Sequence, residues 1–156
     1  MRSILPEQQP VRNERAARAP AATVDGRWQA GVMSEQAATI RRFWQTTEAR
    51  DWDALAGVLA PEMVYEMEQT RERVRGRDAF LRFFDDYPGD WHLTVRRVIA
   101  DAEGGVSVLD FTIGEEDMLG ITFFTFDGDG LITRVEDVWP EPYEPPADRA
   151  HLTERF

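Results

Sequence analysis

The chain has 156 residues, of which 42% are hydrophobic and 30% charged, a composition typical of one folded domain with its own core. It contains no cysteine, and its 18 Lys/Arg residues are all arginine, which excludes thiol nucleophiles, thiolate metal sites and a Schiff-base lysine. The formal net charge of −11 disfavours binding to nucleic acid, and no apolar run is long enough to cross a membrane.

The first 32 residues differ in composition from the rest and are predicted to be a disordered N-terminal extension. They are rich in Arg, Ala and Pro and contain few large apolar residues with which to build a core. The start of the chain also lacks the apolar stretch of a signal peptide, which favours a cytoplasmic location. A folded domain is predicted at 33–139.

Three helices are predicted from apolar spacing and from capping residues. The first spans 34–48, where apolar residues recur at helical spacing and Ser34 is a favourable N-cap. The second begins at Asp51, whose carboxylate can cap it, and is predicted to end at Pro61 because proline interrupts helical hydrogen bonding. The third spans 76–84 and is followed by a Tyr-Pro-Gly turn.

One short strand and four longer ones are predicted at 63–67, 91–102, 106–113, 118–126 and 132–139. Short links join the long strands, and the sequence DGDG before the last strand is typical of a hairpin turn, so we expect an antiparallel meander. Several strands, notably at 121–126, look apolar on both faces. Helices on one face and a second copy of the chain on the other would cover them, which predicts a homodimer.

The segment 140–156 is a proline-rich tail that cannot extend the sheet. Its first residues read PEPYEPP, which favours an extended conformation. We predict that the tail packs on the domain through Leu152 and Phe156, either as a lid or as a strap across a dimer.

Three segments carry a resemblance to a known family. They are ARDWDALAGVLAPEMVYE at 49–66, GRDAFL at the start of the third helix and FDGDGLITRV at the last hairpin. On these segments the chain from Ser34 to Trp139 resembles SnoaL-like members of the nuclear transport factor two-like superfamily. The resemblance implies an α+β cone in which a curved antiparallel or mixed sheet and three helices enclose a pocket. It also implies isomerase, cyclase, dehydratase or epoxide hydrolase activity, or a non-catalytic role.

The resemblance also indicates which catalytic residues this chain has replaced. In the ketosteroid isomerase branch a tyrosine and two aspartates perform the chemistry, and the matching positions hold Phe43, Met67 and Thr122, so that mechanism is not expected. In the limonene epoxide hydrolase branch a last-strand aspartate works with an Arg–Asp pair. Asp137 matches that aspartate, but the arginine is missing near Asp110. SnoaL-type cyclases need one aspartate acid or base in an apolar cavity, a requirement that this chain meets.

Asp137 is the first candidate for catalysis. Alternation along the last strand places it on one face with Val135 and Trp139. If this face lines the pocket, burial would raise the pKa of the carboxyl group and make it a usable acid or base. The alternatives are an ion pair with an arginine such as Arg97, or a register shift of one residue that turns Glu136 inward instead.

Asp110 and His92 are further catalytic candidates on two other strands. Asp110 could share the cavity with Asp137 and divide the acid and base roles with it. The alternative for Asp110 is the outer face, where it would contact an arginine of a second subunit. His92 would carry protons if it faced inward, and near the start of its strand it could equally be exposed.

Substrate binding is predicted for aromatic, flexible and small polar residues on the pocket face, although aromatic residues at this spacing also form ordinary cores. They are Trp44, Tyr65, Met67, Phe80, Phe84, Thr122, Phe124 and Trp139. Together with Asp137 they predict an enzyme without cofactor or metal that moves protons on a hydrophobic, cyclic small molecule. The alternative is a module that binds a ligand or mediates dimerisation without catalysis.

Overall fold

The computed structural model describes residues 33–156, and the predicted N-terminal extension at 1–32 lies outside the described residues. Three α-helices are found in the described range: α1 (Glu35–Ala49), α2 (Trp52–Ala56) and α3 (Arg77–Asp85). The strands are β1 (Leu59–Met67), β2 (Glu72–Arg75), β3 (Trp91–Ala100), β4 (Gly105–Ile113), β5 (Glu116–Phe126) and β6 (Ile132–Val138). A short 3₁₀ helix follows at Ala147–Leu152.

The strands form one open, mixed sheet in the order β2-β1-β6-β5-β4-β3. β3 to β6 form the predicted antiparallel meander. β1 runs parallel to β6, and β2 lies antiparallel to β1 at the edge of the sheet. The predicted α+β fold, with a mixed sheet and three helices, is confirmed.

Helix α1 packs on the sheet through one apolar face. Its residues Ile40, Phe43 and Trp44 are buried, and the rings of Phe43 and Phe124 lie 5.3 Å apart, edge to face. Burial of each such side chain stabilises the fold by about 1.5–3 kcal/mol. The helix approaches the start of β4 so closely that a Cβ on Gly105 would lie 2.4 Å from the Ile40 side chain. This packing therefore requires a glycine at position 105.

The start of α1 is attached to the sheet by its capping residue. The Ser34 hydroxyl accepts a hydrogen bond from the backbone N–H of Ala37 at 3.1 Å, as the predicted N-cap should. The same hydroxyl donates to the carbonyl of Ala100 at 3.1 Å. One side chain thus caps the helix and fixes it to the end of β3.

One prediction for the region between α1 and α3 was wrong, and one strand there was not predicted. Helix α2 ends at Ala56, and Pro61 lies inside β1 instead of closing the helix. The proline is tolerated because β2 pairs only with the part of β1 from Val64 onward, and because the pairing with β6 is irregular after Leu59. Strand β2 was not predicted, since its sequence ERVR is charged and mostly exposed.

The tail does not pack through its two terminal apolar side chains. Leu152 is 74% exposed and Phe156 is fully exposed. The tail is instead folded back by an ion pair in which the Arg155 guanidinium donates to the Glu144 carboxylate at 2.7 Å. The expected anchoring by Leu152 and Phe156 was therefore wrong. Separately, no helix in the described residues is long and apolar enough to span a membrane.

Candidate functional site

The Asp137 carboxylate on β6 is held by side chains from both neighbouring strands. The sheet register pairs Asp137 with Thr122 of β5 and with Met67 of β1. The Thr122 hydroxyl donates to Oδ1 at 2.7 Å, and the Tyr65 hydroxyl donates to Oδ2 at 2.7 Å. Residues paired in register share one face of the sheet, and Tyr65 shares that face because it lies two positions before Met67. The β-structure itself therefore fixes the carboxylate in position.

Burial sets the acidity of this group. Asp137 is 2% exposed, and desolvation raises the pKa of its carboxyl group from 3.8 to about 6, although the hydrogen bonds from Thr122 and Tyr65 lower it. Burial, and then the nearby Asp137 carboxylate, raise the pKa of the Tyr65 hydroxyl well above its usual value. Tyr65 therefore keeps its proton and remains a hydrogen-bond donor. Because its pKa lies about one unit below neutral pH, Asp137 is largely ionised at neutral pH and takes up a proton when the pH falls by about one unit.

Asp137 forms part of the wall of a cavity of about 410 Å³. This volume lies in the range of small-molecule sites, which is roughly 300–1,000 Å³. Eight of the fifteen lining residues are aromatic, and the polar exceptions besides Asp137 are Gln69, Thr70 and Glu72. The cavity thus suits a flat, hydrophobic molecule that contacts few polar groups.

The aromatic rings of the wall are packed against one another. The rings of Trp91 and Phe111 are stacked with centroids 6.0 Å apart, and Phe111 meets the edge of Trp139 at 5.3 Å. Tyr65 and Phe84 lie 5.8 Å apart. Each ring is therefore positioned by its neighbours before any ligand arrives.

Most of the predicted binding residues lie in this wall. The cavity is lined by Trp44, Tyr65, Met67, Phe84 and Trp139, as well as by Asp137. The remaining three predicted residues do not line it: Thr122 lies beneath the wall, bonded to Asp137, while Phe80 and Phe124 belong to the buried core. For Phe80 and Phe124, the ordinary core role is the one that the structure shows.

The two other catalytic candidates lie outside the cavity, which corrects their placement. Asp110 is on the opposite face of the sheet, where its carboxylate accepts a hydrogen bond from Arg96 at 2.7 Å and its side chain is 40% exposed. His92 has a 59% exposed side chain, and its Nδ1 lies 2.9 Å from a carboxylate oxygen of Glu48. Strand alternation turns both side chains away from the face that carries the core.

Several residues of the cavity were missed by the sequence reasoning. Its aromatic wall also includes Phe83, Tyr87, Trp91 and Phe111. Alternation along β3 and β4 could have identified Trp91 and Phe111, since both face the same side as buried neighbours. Tyr87 follows α3 in an irregular turn, and no periodic signal there predicts where its ring points.

A cluster of three glutamates lies on the other face of the sheet, where arginine side chains already pair with it. The carboxylates of Glu66, Glu68 and Glu136 have oxygens within 4.8 Å of one another. Glu66 already forms ion pairs with Arg73 and Arg134, so its charge is balanced within the protein. These side chains form a charge network on the sheet surface.

Comparison with known proteins gives the family. The family model of the SnoaL-like domain matches residues 40–135. The chain is 43% identical to a candidate ketosteroid isomerase from Kribbella flavida, with a TM-score of 0.76 over 78% of this chain and 90% of that one. No curated protein matches the chain.

Two further solved structures share the fold at lower identity. An LEH-like epoxide hydrolase from M. tuberculosis is 21% identical, with a TM-score of 0.58 over 68% of this chain and 83% of that one. A candidate polyketide cyclase from Sinorhizobium meliloti is also 21% identical, with a TM-score of 0.57 over 65% of this chain and 94% of that one. The chain therefore belongs to the SnoaL-like domain family, and its fold is similar to that of an NTF2-like protein from Burkholderia xenovorans (18% identical, TM-score 0.67).

Proposed function

We propose that the chain is a cofactor-independent enzyme that uses Asp137 to move a proton on a hydrophobic, cyclic small molecule. The observation that carries this proposal is the buried carboxylate in the wall of an aromatic cavity, with its pKa raised by burial to about 6. A carboxyl group with a pKa near the working pH can take up and release a proton within one catalytic cycle. Membership in the SnoaL-like family supports catalysis in general and leaves the reaction open.

In the proposed cycle, ionised Asp137 accepts a proton from a carbon or oxygen atom of the substrate. That C–H or O–H bond breaks, an O–H bond forms on the carboxylate, and the electron pair stays on the substrate. Return of the proton at another carbon completes an isomerisation. In a cyclisation, the electron pair attacks the carbon of a C=O group in the same molecule. The oxygen of that group gains the negative charge, and Asp137 returns the proton to it. Neither route consumes another reactant.

The register of the sheet places Asp137 beside the two positions that hold the catalytic aspartates in the ketosteroid isomerase branch. The positions that match the two isomerase aspartates hold Met67 and Thr122, and both lie directly beside Asp137. An isomerase activity, such as the name of the Kribbella flavida relative indicates, would therefore use a carboxylate supplied by β6 in the same part of the cavity. Epoxide opening has less support, because no arginine in residues 33–156 lines this cavity.

The substitution Asp137→Asn tests the proposal, with Asp110→Asn as the matched control. Both variants change a strand aspartate to asparagine in the same sheet, but only Asp137 lines the cavity. Wild type and variants are incubated in D₂O with a library of polycyclic and terpenoid ketones, and mass spectrometry detects products and incorporated deuterium. We expect activity in the wild type and in Asp110→Asn, and a rate reduced by about 10²–10⁴-fold in folded Asp137→Asn. Equal rates in all three proteins would contradict the proposal.

A ligand-binding module without catalysis is the second candidate. It is favoured by the fact that both Asp137 oxygens already accept hydrogen bonds from hydroxyl groups of the protein. This candidate predicts compounds that raise the Tm of the wild type and of Asp137→Asn to a similar extent, without any conversion. Differential scanning fluorimetry on the same library, followed by product analysis of each hit, separates the two candidates.

We also propose that the chain forms a homodimer through the outer face of its sheet. Val108, Ile121 and Val138 lie side by side there on three adjacent strands. Phe123 and Ile99 on the same face are 47% and 61% exposed, and a contiguous apolar patch of this kind marks an interaction surface. Light scattering should give a dimer for the wild type and a monomer for Phe123→Arg. A monomeric wild type would exclude this interface.

A further inference from the structure

Asp137 is a buried negative charge without a positive partner. Its two oxygens accept hydrogen bonds from the neutral hydroxyls of Tyr65 and Thr122, and no cationic side chain of residues 33–156 contributes to its pKa. A buried ion without a counter-charge is unfavourable in a protein interior. A ligand that carries a positive charge into the cavity would supply the missing partner.

The cavity wall also favours positive charge. Eight of its lining residues are aromatic, and the π-face of an aromatic ring attracts an organic cation by up to about 2 kcal/mol at a desolvated site. Tyr65 combines the two features, because it lines the cavity and also hydrogen-bonds to the Asp137 carboxylate. An aromatic wall with a carboxylate set into it is a suitable site for an alkylammonium group.

The other charged groups around the cavity do not reverse this preference. Glu72 of β2 is the second charged residue in the lining, and no basic side chain of the described segment lines it. Arg50 lies outside the lining, 3.7 Å from the ring centroid of Trp91. Its guanidinium is also 3.7 Å from the Glu48 carboxylate, which compensates part of its charge. The cavity therefore has two acidic groups in its wall and no basic one.

We propose that the ligand of this cavity is a hydrophobic organic cation, that is, a ring system carrying an ammonium or iminium group that pairs with Asp137. The same ring system with a carboxylate in that place would be rejected, because it would meet Asp137 and Glu72 without a compensating cation. This inference deepens the proposed function, because it concerns the same cavity and the same carboxylate. It rests on the proposed function only in that assignment.

A cationic substrate also suits the proton transfer. When ionised Asp137 takes a proton from a carbon next to an iminium group, the C–H bond breaks and an O–H bond forms on the carboxylate. The electron pair left behind forms the double bond of a neutral enamine. A cation and an anion thus become two neutral groups, and a water-poor cavity favours that change. When a C=C bond lies one carbon further along the substrate, the enamine is a dienamine, and return of the proton at its far end gives a conjugated iminium and restores both charges.

Three naphthalene probes with one small substituent each, positive, neutral or negative, test the inference. They are 2-(aminomethyl)naphthalene, which is protonated at about pH 7.5, the neutral 2-naphthalenemethanol and the anionic 2-naphthoate. Titration calorimetry measures their binding to the wild type, to Asp137→Asn and to the control Asp110→Asn. We expect the wild type and the control to bind the ammonium probe about tenfold or more tightly than the alcohol, with no detectable binding of the carboxylate. In Asp137→Asn the preference for the ammonium probe over the alcohol should fall by about fivefold or more, and Glu72 and the aromatic wall account for what remains.

The outcomes separate the two proposals. Four results would each overturn the inference. They are alcohol binding as tight as ammonium binding in the wild type, binding of naphthoate, binding of no probe, and an ammonium preference that is unchanged in Asp137→Asn. Charge selectivity is measured without turnover. The expected selectivity in a protein that converts no ketone or iminium compound would therefore sustain the inference and refute the proposed catalysis.

Discussion

Asp137 and Asp110 are the same residue type on two strands of one sheet, and their surroundings are opposite. Asp137 is 2% exposed and accepts hydrogen bonds from the hydroxyls of Tyr65 and Thr122. Asp110 has a 40% exposed side chain and pairs with the Arg96 guanidinium. One carboxylate is a buried charge at a cavity, and the other is half of a solvated ion pair.

This difference arises from strand alternation and from irregularity in the register. Asp137 faces the side of the sheet that carries the core, whereas Asp110 faces the outer side. The pairing of β3 with β4 shifts between Val95 and Arg97, and the extra residue Arg96 supplies the partner of Asp110. The face of a strand, and not the residue type alone, thus decides whether a carboxylate is available for chemistry.

The largest expected effect on stability comes from replacing the buried charge. The folded-state pKa of Asp137 is about 6 against 3.8 for the ordinary group, so the folded protein binds this proton more tightly than the unfolded chain. The stabilisation is complete below about pH 3.8 and is lost as the pH rises through about 6, about 3 kcal/mol in all. Asp137→Asn does not titrate and avoids this loss. Its stability relative to the wild type should rise by about 2 kcal/mol between about pH 4.5 and pH 7.5.

Urea unfolding of both proteins across this pH range measures the effect. The control Asp110→Asn removes an exposed ion pair and should lower the free energy of unfolding at about pH 7.5 by less than about 1 kcal/mol. A difference between Asp137→Asn and the wild type that stays constant with pH would show that Asp137 does not carry the buried charge described above.

An effect of similar size is expected from removing one of the two hydroxyls that hold Asp137. Tyr65→Phe deletes the donor to Oδ2, and because this hydrogen bond lowers the pKa of Asp137, the pKa should rise above about 6. The loss of a hydrogen bond to a buried charged group should cost about 1.5–3 kcal/mol at about pH 7.5. Tyr87→Phe is the control, since the Asp137 carboxylate accepts its hydrogen bonds from Tyr65 and Thr122 and not from Tyr87. Equal Tm values for the two variants in thermal unfolding would contradict this role of Tyr65.

The shape of the cavity can be tested with one methyl group. A Cβ on Gly120 would lie 2.8 Å from the Trp139 ring and 3.0 Å from Leu109, so Gly120→Ala should displace the ring from the cavity wall. We expect a loss of about 1–3 kcal/mol of stability and weaker binding of the naphthalene probes. Gly128→Ala is the control, because nothing lies within 4 Å of its added Cβ. Denaturation and calorimetry that show no difference between the variants would argue that Trp139 does not shape the site.

Much of the fold was predictable because its signals are local. The helical spacing before Arg50, the DGDG turn and the alternation of four long strands predicted the helix, the hairpin and the meander. The parallel pairing of β1 with β6 joins residues such as Met67 and Asp137 that lie far apart in sequence, and no local pattern specifies it. Strand β2 carries no apolar face, so periodicity could not predict it.

The candidate site was predictable where it depends on alternation along one strand. The period of β6 predicted that Asp137 and Trp139 share one face, while the inward direction of that face remained open against the alternative of Glu136. The partners of Asp137 did not follow, because Tyr65 and Thr122 reach it only through the register of three strands. Asp110 was misplaced because a mixed pattern of apolar and polar residues on β4 does not tell which face is buried.

The most direct test of the central claim is the acidity of Asp137 in the folded protein. Carboxyl ¹³C NMR on aspartate-labelled protein follows this group through a pH titration, and the resonance that is absent from Asp137→Asn identifies it. The buried carboxylate described above predicts a midpoint of about 6. A midpoint near 3.8, the ordinary value, would show that Asp137 is no buried proton carrier and would contradict the proposed function.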